Sequence, residues 1–159
     1  MEERALVAAL GAIYERSPWV ATCVAAARPF ASVEALAAGM AAAVASAGDA
    51  QQLALIRAHP ELAGKAMMRN ELTTDSTGEQ AGAGLTQCSA QELGRLTALN
   101  AHYSEKFGFP FVLAVKGSDR AGVIAEFARR VERDRAQEFA ENLRQIDRIA
   151  RLRLAALLE

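Results

Sequence analysis

The sequence is short of the residues that build metal and disulfide sites. Its 159 residues include only two cysteines, Cys23 and Cys88, and two histidines, His59 and His102. Two thiols are too few for a disulfide framework, so reduced cysteines are expected. Zinc sites need clusters of cysteine and histidine ligands, and the sequence has no such cluster. We therefore expect no bound metal.

An excess of basic charge is also missing. Lysine and arginine number 18 against 19 acidic residues, for a formal net charge of −1. Nucleic-acid-binding proteins usually carry a basic surplus or a basic stripe, so we expect no nucleic-acid partner. The longest apolar stretch, 35–47, is mostly alanine and too short to cross a bilayer, and the first residues do not resemble an export signal. We expect no membrane partner and a cytoplasmic location.

Helix-forming residues, by contrast, are abundant, with alanine, leucine, arginine and glutamate dominating the composition. Serine and aspartate caps, a capping-box spacing after residue 88, and helix-ending proline and glycine divide the chain into helices. The predicted helices run over 2–14, from Ser17-Pro18 to before Pro29, from Ser32 to Gly48, from Asp49 to Pro60, from Ser89 to Gly108, and over roughly 119–131 and 135–158. The whole chain, 1–159, thus predicts one all-α domain, a compact multi-helix bundle.

Two stretches between these helices carry their own predictions. The apolar run Phe109 to Val115 fits either a buried extended segment or the start of a helix, and periodicity does not decide between them. The charges between Glu126 and Glu138 alternate in sign, with Arg129-Arg130 among them. Such alternation is typical of a solvated face of mixed charge.

The last predicted helix carries an arginine within its apolar face. Phe139, Leu143, Ile146, Ala150 and Leu157 follow helical spacing. Arg153 lies about 20° from Ile146 on the same face, at about 100° per residue. A buried guanidinium must be paired or bind an anion, because leaving it alone costs several kcal/mol. The sequence leaves two interpretations open: an arginine paired with a buried acid or reaching solvent, and an anion-binding arginine.

His59 is the first candidate for chemistry. It lies in Arg57-Ala58-His59-Pro60-Glu61, at the junction of a predicted helix and a loop. Histidine titrates near neutrality, so a positioned imidazole is a natural general acid or base. A histidine that caps the preceding helix and interacts with its dipole is the alternative.

The second candidate is Ser76-Thr77-Gly78-Glu79, which has the serine-x-x-glutamate spacing of a capping box. The same helix start could offer the backbone N–H groups of 77–80 to a polar ligand, with Glu79 beside them as a proton acceptor. The following glycines lack the Gly-Lys-Ser/Thr ending of a phosphate loop, so neither ATP nor a dinucleotide is expected.

Taken together, these segments resemble one family, the decarboxylases of 2-oxo-4-hydroxy-4-carboxy-5-ureidoimidazoline (OHCU). The family performs the last step of urate-to-allantoin conversion in purine catabolism. The similarity covers nearly the whole chain, and the segments occur in the family's order. They are Ser17-Pro18-Trp19-Val20-Ala21, His59-Pro60-Glu61-Leu62-Ala63-Gly64-Lys65, Glu79-Gln80-Ala81-Gly82-Ala83-Gly84-Leu85, Leu99-Asn100 with Tyr103, Lys106-Phe107-Gly108-Phe109-Pro110-Phe111-Val112 up to Lys116-Gly117, and Arg148-Ile149-Ala150-Arg151-Leu152-Arg153-Leu154.

The resemblance implies an all-α, cofactor-independent carboxy-lyase that forms homodimers and takes a small anionic ureidoimidazoline as substrate. It implies that His59 is the catalytic histidine, with Glu79 and Arg153 as its partners. The substrate contacts that it implies are Pro60, then Ser76, Thr77, Gly78, Glu79 and Gln80, and then Phe111, Val112, Leu113, Ala114 and Val115.

This sequence departs from the family in two places. Thr22 follows Ser-Pro-Trp-Val-Ala where many members have an acid, and the last residues lack the peroxisomal signal of animal members. The second departure favours a cytoplasmic location. Two other functions fit the residues: a helical interaction module without catalysis, and a lyase or hydrolase for another small ureide.

Overall fold

The computed structural model describes residues 2–159. That part of the chain contains nine α-helices and no β-strand, which confirms the all-α prediction. The helices are α1 Glu3–Leu10, α2 Trp19–Ala25, α3 Val33–Ser46, α4 Asp49–Arg57, α5 Lys65–Met68, α6 Thr74–Gly82, α7 Ala90–Phe107, α8 Arg120–Arg130 and α9 Arg135–Leu158, with a 3₁₀ turn at Leu85–Gln87.

Several helix ends follow directly from the capping residues. The Ser32 hydroxyl accepts the Ala35 N–H at 3.0 Å and begins α3. At the start of α7, Ser89 Oγ accepts the Glu92 N–H at 3.1 Å, and the Glu92 carboxylate accepts the Ser89 N–H at 2.9 Å. Gly108 ends α7 in the left-handed region, at φ 78°. These three predictions are confirmed.

The chain divides into two compact units, the first of which comprises 2–58 and 146–159. Within it α2 packs on α3, and both helices are rich in alanine, whose small side chains allow the backbones to approach closely. Its core consists of aliphatic side chains that are almost entirely inaccessible: Val20, Val24, Met40, Leu55, Ile56, Ile146 and Leu154. This unit carries Arg153.

The second unit comprises 59–145 and has an aromatic core. The Tyr103 ring meets the rings of Phe107, Phe109, Phe111 and Phe127 edge-on, at centroid distances of 4.5 to 6.1 Å. Phe111 also stacks on Phe127, with centroids 3.9 Å apart and planes 7° apart. Such pairs add about 0.5–1.5 kcal/mol each beyond the area that they bury. The core therefore joins α7 and α8 to the chain between them.

That connecting chain contains residues 110–115, called the extended segment below. It is neither helical nor a turn. Its hydrogen bonds to side chains fall on the backbone of alternate residues, Pro110, Val112 and Ala114, as they do along one edge of a strand. Of the two structures that the sequence allowed here, the structure has the buried extended one.

The prediction of a solvated mixed-charge face before and in α9 is wrong for two of its residues. Arg130 and Glu138 are both 0% exposed, and their side chains pair at 2.9 Å. The Tyr103 hydroxyl donates to the same carboxylate at 2.6 Å. By contrast, Arg129 is exposed and its partner Glu126 is half-buried. Charges of alternating sign suit a buried pair as well as a solvated face, so the pattern alone did not separate these cases.

The apolar face of α9 is shorter than its sequence spacing predicts. Ile146, Ala150 and Arg153 are 1%, 4% and 7% exposed, but Leu157 is 51% exposed. Arg153 therefore does lie in the buried part of the face, as predicted, and the face ends at Leu154.

No single helix of residues 2–159 has the length and apolar composition needed to cross a membrane; α3 and α4 meet that test only jointly, with a bend of 116° between them.

Candidate active site

His59 occupies the first loop position after α4 has ended. The helix stops at Arg57, a turn follows at Ala58, and Pro60 prevents the helix from resuming. The histidine is 7% exposed although it lies in a loop. A buried imidazole has to make polar contacts, because an unsatisfied one is costly. The second unit thus begins with a positioned histidine.

The loop after His59 is fastened to α6 by one side chain. Gln80 Oε1 accepts the Ala63 N–H at 2.9 Å, and Gln80 Nε2 donates to the Glu61 carbonyl at 3.3 Å. Ala63 has a φ of 50°, a region that costs a residue other than glycine about 1–2 kcal/mol. Two fixed hydrogen bonds to the same short stretch hold this strained conformation in place.

A second side chain holds the same loop from α7. Asn100 is 5% exposed, and its Nδ2 donates to the Leu62 carbonyl at 2.9 Å. Carbonyls and N–H groups of the loop are therefore paired with side chains of two helices. Because Gln80 belongs to α6, the structure brings the end of the stretch Ser76–Gln80 to the loop that begins at His59.

The start of α6 differs from the sequence prediction. Thr73, not Ser76, caps the helix, and its Oγ1 accepts the Ser76 N–H at 3.3 Å. The Thr77 N–H donates to the Thr73 carbonyl at 2.9 Å, so it is not available to a ligand. The predicted cap at Ser76, with backbone N–H groups of 77–80 offered to a ligand, is wrong. The helix begins three residues earlier than the Ser76–Glu79 pattern indicates, because Thr73 also offers a hydroxyl.

The side chains of this stretch differ in exposure. Ser76 and Gln80, four residues apart, are buried on one face of α6. Glu79 is half-buried, and Thr77 and Gly78 are exposed. Ligand contacts from this helix would thus come from its side chains and its surface, and Glu79 lies at the border between the buried and exposed faces.

Arg153 lies in the first unit and is paired there. Its Nη2 is 2.8 Å from Glu15 Oε2, and the two side chains are 5% and 1% exposed. Its Nη1 donates to the Ala12 carbonyl at 3.4 Å. Of the two interpretations open from the sequence, pairing with a buried acid is confirmed. Whether the guanidinium also binds an anion stays a prediction.

The thiols and the second histidine show no sign of a catalytic role. Cys23 is exposed and Cys88 half-buried, and neither is in a disulfide. Burial raises the pKa of the Cys88 thiol, the opposite of what activates a nucleophile. His102 is exposed on α7. Across 2–159, no three His, Cys, Asp or Glu side chains converge as metal ligands would.

Sequence reasoning missed several residues that organise these elements. Glu15, Asn100, Arg130 and Asn142 are all buried and polar, and none was singled out as a candidate. One signal was available in α9. Its buried apolar face has polar residues at helical spacing at both ends, with Glu138 and Asn142 at the start and Arg153 near the end. Asn100 was marked only as part of the family-like segment Leu99-Asn100, and Glu15 offered no signal.

Comparisons with known proteins show the family of this chain. The family model described as OHCU decarboxylase matches residues 1–155. A 2-oxo-4-hydroxy-4-carboxy-5-ureidoimidazoline decarboxylase of Haloferax volcanii is 42% identical over 155 residues, covering 98% of this chain and 90% of that protein. A putative enzyme of the same name from Homo sapiens is 44% identical over 144 residues, covering 91% and 83%.

A solved structure shares the fold along the full length of the chain. The crystal structure of (S)-allantoin synthase superimposes with a TM-score of 0.78 at 31% identity and covers 99% of this chain. This chain spans 51% of that longer one. With a family model that matches all but the last four residues and relatives of such identity, the chain belongs to the OHCU decarboxylase family.

Proposed function

We propose that this chain decarboxylates 2-oxo-4-hydroxy-4-carboxy-5-ureidoimidazoline to (S)-allantoin without a cofactor. Membership of the OHCU decarboxylase family supports this reaction. The observation that carries the mechanism is the buried His59, at the head of a loop that Gln80 and Asn100 hold by its backbone. A single imidazole in a fixed position is what a proton transfer between two substrate atoms requires.

The structure of the substrate determines which bonds and protons must move in the reaction. One ring carbon bears both a carboxylate and a hydroxyl, and its neighbour is part of a C=N bond. When the bond to the carboxylate breaks, CO2 leaves, and the electron pair of that bond forms a C=C bond in the ring. The C=N pair moves to nitrogen, which takes a proton from water, and the remaining hydroxide combines with the CO2 to give bicarbonate. The resulting enol then loses its hydroxyl proton and becomes a carbonyl, while the adjacent ring carbon gains a proton on one face.

His59 performs the last exchange. It accepts the hydroxyl proton as a base and returns a proton to the ring carbon as an acid, so the enzyme ends in the state in which it began. Glu79 orients the imidazole. Because the new proton arrives from one side only, the product is the (S) enantiomer.

The remaining contacts lie on three short stretches of the second unit. We assign the substrate's ring and ureido groups to Pro60, to the side chains and surface of Ser76–Gln80, and to the extended segment at Phe111–Val115. What supports this assignment is that Gln80 links the first two stretches and that the third is buried and regularly held.

Gly78 permits a sharp test of the contact with α6. A Cβ added at Gly78 or at Gly82 meets nothing within 4 Å, and both residues are exposed in the helix. Gly78→Ala and Gly82→Ala should each stabilise the protein by about 0.5–1 kcal/mol, because alanine favours the helix. If substrate lies against Gly78, only Gly78→Ala should also raise KM. Equal KM values for the two variants in steady-state assays would remove Gly78 from the contacts.

We assign an anionic or carbonyl group of the substrate to Arg153. The Glu15 carboxylate holds the guanidinium in place and offsets its charge. Arg153→Lys keeps the charge but loses the planar fork of donors, so KM should rise. Glu15→Gln removes the competing negative charge, so KM should stay or fall even though the protein loses stability. Initial rates give KM and thermal melts give stability, so the effects on substrate binding and on folding are measured separately. Lower stability with unchanged KM in both variants would make the Arg153–Glu15 pair purely structural.

We further propose that residues 1–159 act as one family domain, that two copies form a homodimer, and that the protein is cytoplasmic. The first two proposals rest on the family resemblance, and the third rests on the expectation from the sequence given above. Light scattering on a size-exclusion column would give a mass of twice 16.9 kDa for the dimer.

A coupled assay tests the reaction. Urate oxidase and hydroxyisourate hydrolase generate the labile substrate in the reaction mixture. The decay of this substrate is then followed with and without this protein. We expect decay well above the spontaneous rate, in proportion to the protein added. Decay at the spontaneous rate would favour a helical interaction module, and a search with other ureides would then address the alternative of a different lyase or hydrolase.

A further inference from the structure

Side chains of α9 take the place of a neighbouring strand along the extended segment. Asn142 Nδ2 donates to the Pro110 carbonyl at 3.0 Å, and its Oδ1 accepts the Val112 N–H at 3.0 Å. One turn further on, Gln145 Oε1 accepts the Ala114 N–H at 3.0 Å. In an extended chain the backbone groups of alternate residues point to the same side. These two side chains therefore pair one edge of the segment at three points, the Pro110 carbonyl and the N–H groups of Val112 and Ala114.

Arg130, the last residue of α8, completes this edge. Its Nη1 donates to the Val112 carbonyl at 2.7 Å, and its Nη2 donates to Asn142 Oδ1 at 2.7 Å. Its Nε donates to Glu138 at 2.9 Å, and the guanidinium lies 4.3 Å from the centre of the Phe111 ring. The N–H and the carbonyl of Val112 are thus both paired with side chains. Asn142, which accepts the N–H, is itself hydrogen-bonded to Arg130.

Stability alone does not explain why these charged and polar side chains are buried. Arg130, Glu138 and Asn142 are each 0% exposed. Well-packed apolar residues of similar volume often stabilise a core as much as a buried ion pair, or more. The polar groups add a defined backbone geometry, because each hydrogen bond fixes the position of one backbone atom. The backbone groups of Phe111 and Leu113, the residues between those held here, point to the other side of the extended segment.

We propose that Arg130, Asn142 and Gln145 are positioning residues, which hold the extended segment by its backbone in the register that presents it to substrate. None of the three needs to touch substrate, since each acts through the segment. This inference rests on the proposed function, in which the segment contributes substrate contacts. It adds to that function the residues that set the geometry of those contacts.

Two variants test the inference. Gln145→Met removes the acceptor for the Ala114 N–H. Asn142→Asp keeps the acceptor for the Val112 N–H and loses the donor to Pro110, but it also adds a buried negative charge near Glu138, so its thermal melt is recorded together with its KM. We expect KM in the coupled assay to rise about five- to tenfold in each, the equivalent of one hydrogen bond. Because the contacts serve substrate and transition state alike, kcat should stay within about twofold of wild type.

Amide hydrogen exchange gives a readout at the segment itself. In Gln145→Met, the Ala114 amide should exchange much faster than in wild type, while the Val112 amide keeps its protection. A loss of protection at both amides alike would indicate general loosening and not release of one hydrogen bond.

Tyr103→Phe is the matched control. It removes the hydroxyl that donates to Glu138 and accepts the longer 3.3 Å hydrogen bond from Asn142 Nδ2, but that hydroxyl makes no hydrogen bond to the segment's backbone, and Asn142 keeps both of its own. It should lower the melting temperature and leave KM unchanged. A rise in KM for Gln145→Met and Asn142→Asp, but not for Tyr103→Phe, supports the inference.

Two negative results can be told apart. If wild type turns over substrate but all three variants lose only thermal stability, with KM unchanged, the cluster is structural and the inference is wrong. If wild type itself shows no turnover, the proposed function fails, and the positioning role falls with it.

Discussion

Replacing His59 by asparagine should lower turnover by about 10²–10⁴-fold, the usual contribution of a positioned acid–base group. Asparagine keeps a polar side chain of similar reach in a site that is 7% exposed, but it cannot accept and return a proton near neutral pH. The hydrogen bonds from Gln80 and Asn100 to the neighbouring loop stay in place. We therefore expect initial rates to collapse while circular dichroism and the thermal melt stay close to wild type.

The chain supplies a matched control, because it has only two histidines. His102 is exposed on α7, and His102→Asn makes the same chemical change at a site with no assigned role. Its turnover should equal that of wild type. Turnover by His59→Asn within about threefold of His102→Asn would rule out proton transfer by His59, since even a weak general base contributes far more.

The second large effect concerns stability. Arg130→Met should destabilise the protein by about 3–5 kcal/mol, because it leaves the Glu138 carboxylate buried without its main counter-charge. The Val112 carbonyl and the Asn142 amide also lose a donor. Equilibrium unfolding in urea, analysed by the shift in midpoint, measures the loss.

Two further variants show whether buried charge is the cause. Adding Glu138→Gln to Arg130→Met removes both charges, so the double variant should be less destabilised than the sum of the single changes. Arg129→Met changes the adjacent but exposed arginine, and it should leave the midpoint close to wild type, because surface ion pairs contribute little. Similar losses for Arg129→Met and Arg130→Met would mean that burial is not what makes Arg130 important.

Most helices could be predicted from local chemistry. Hydroxyl caps at Ser32 and Ser89 and the glycine at 108 act within a few residues of one another, so their effect is visible in the sequence. The start of α6 could not be located in the same way, because Thr73 and Ser76 both offer a hydroxyl and only one of them caps the helix. The extended segment was likewise undecided, since it depends on side chains from about 30 residues away along the chain.

The residues of the candidate site could be proposed from the sequence, but the contacts that hold them could not. Residue type and family resemblance indicated His59 and Glu79, whose roles stay predictions, and the helical period correctly predicted that Arg153 is buried. Its partner Glu15 lies 138 positions away in sequence and could not be paired with it beforehand. Burial of Arg130 and Glu138 depends on Tyr103 and Phe111, which reach them only after α7, α8 and the extended segment have packed.

The enantiomer of the product is the most direct test of the central claim, that a fixed histidine delivers a proton to one face of the ring. The coupled assay should be run with wild type and with His59→Asn, and the allantoin formed should be followed by circular dichroism. We predict a signal of pure (S)-allantoin for wild type, formed faster than spontaneous decay. His59→Asn should give slow formation of racemic allantoin, with no net signal. Racemic product from wild type, or (S)-allantoin at an undiminished rate from His59→Asn, would contradict the claim.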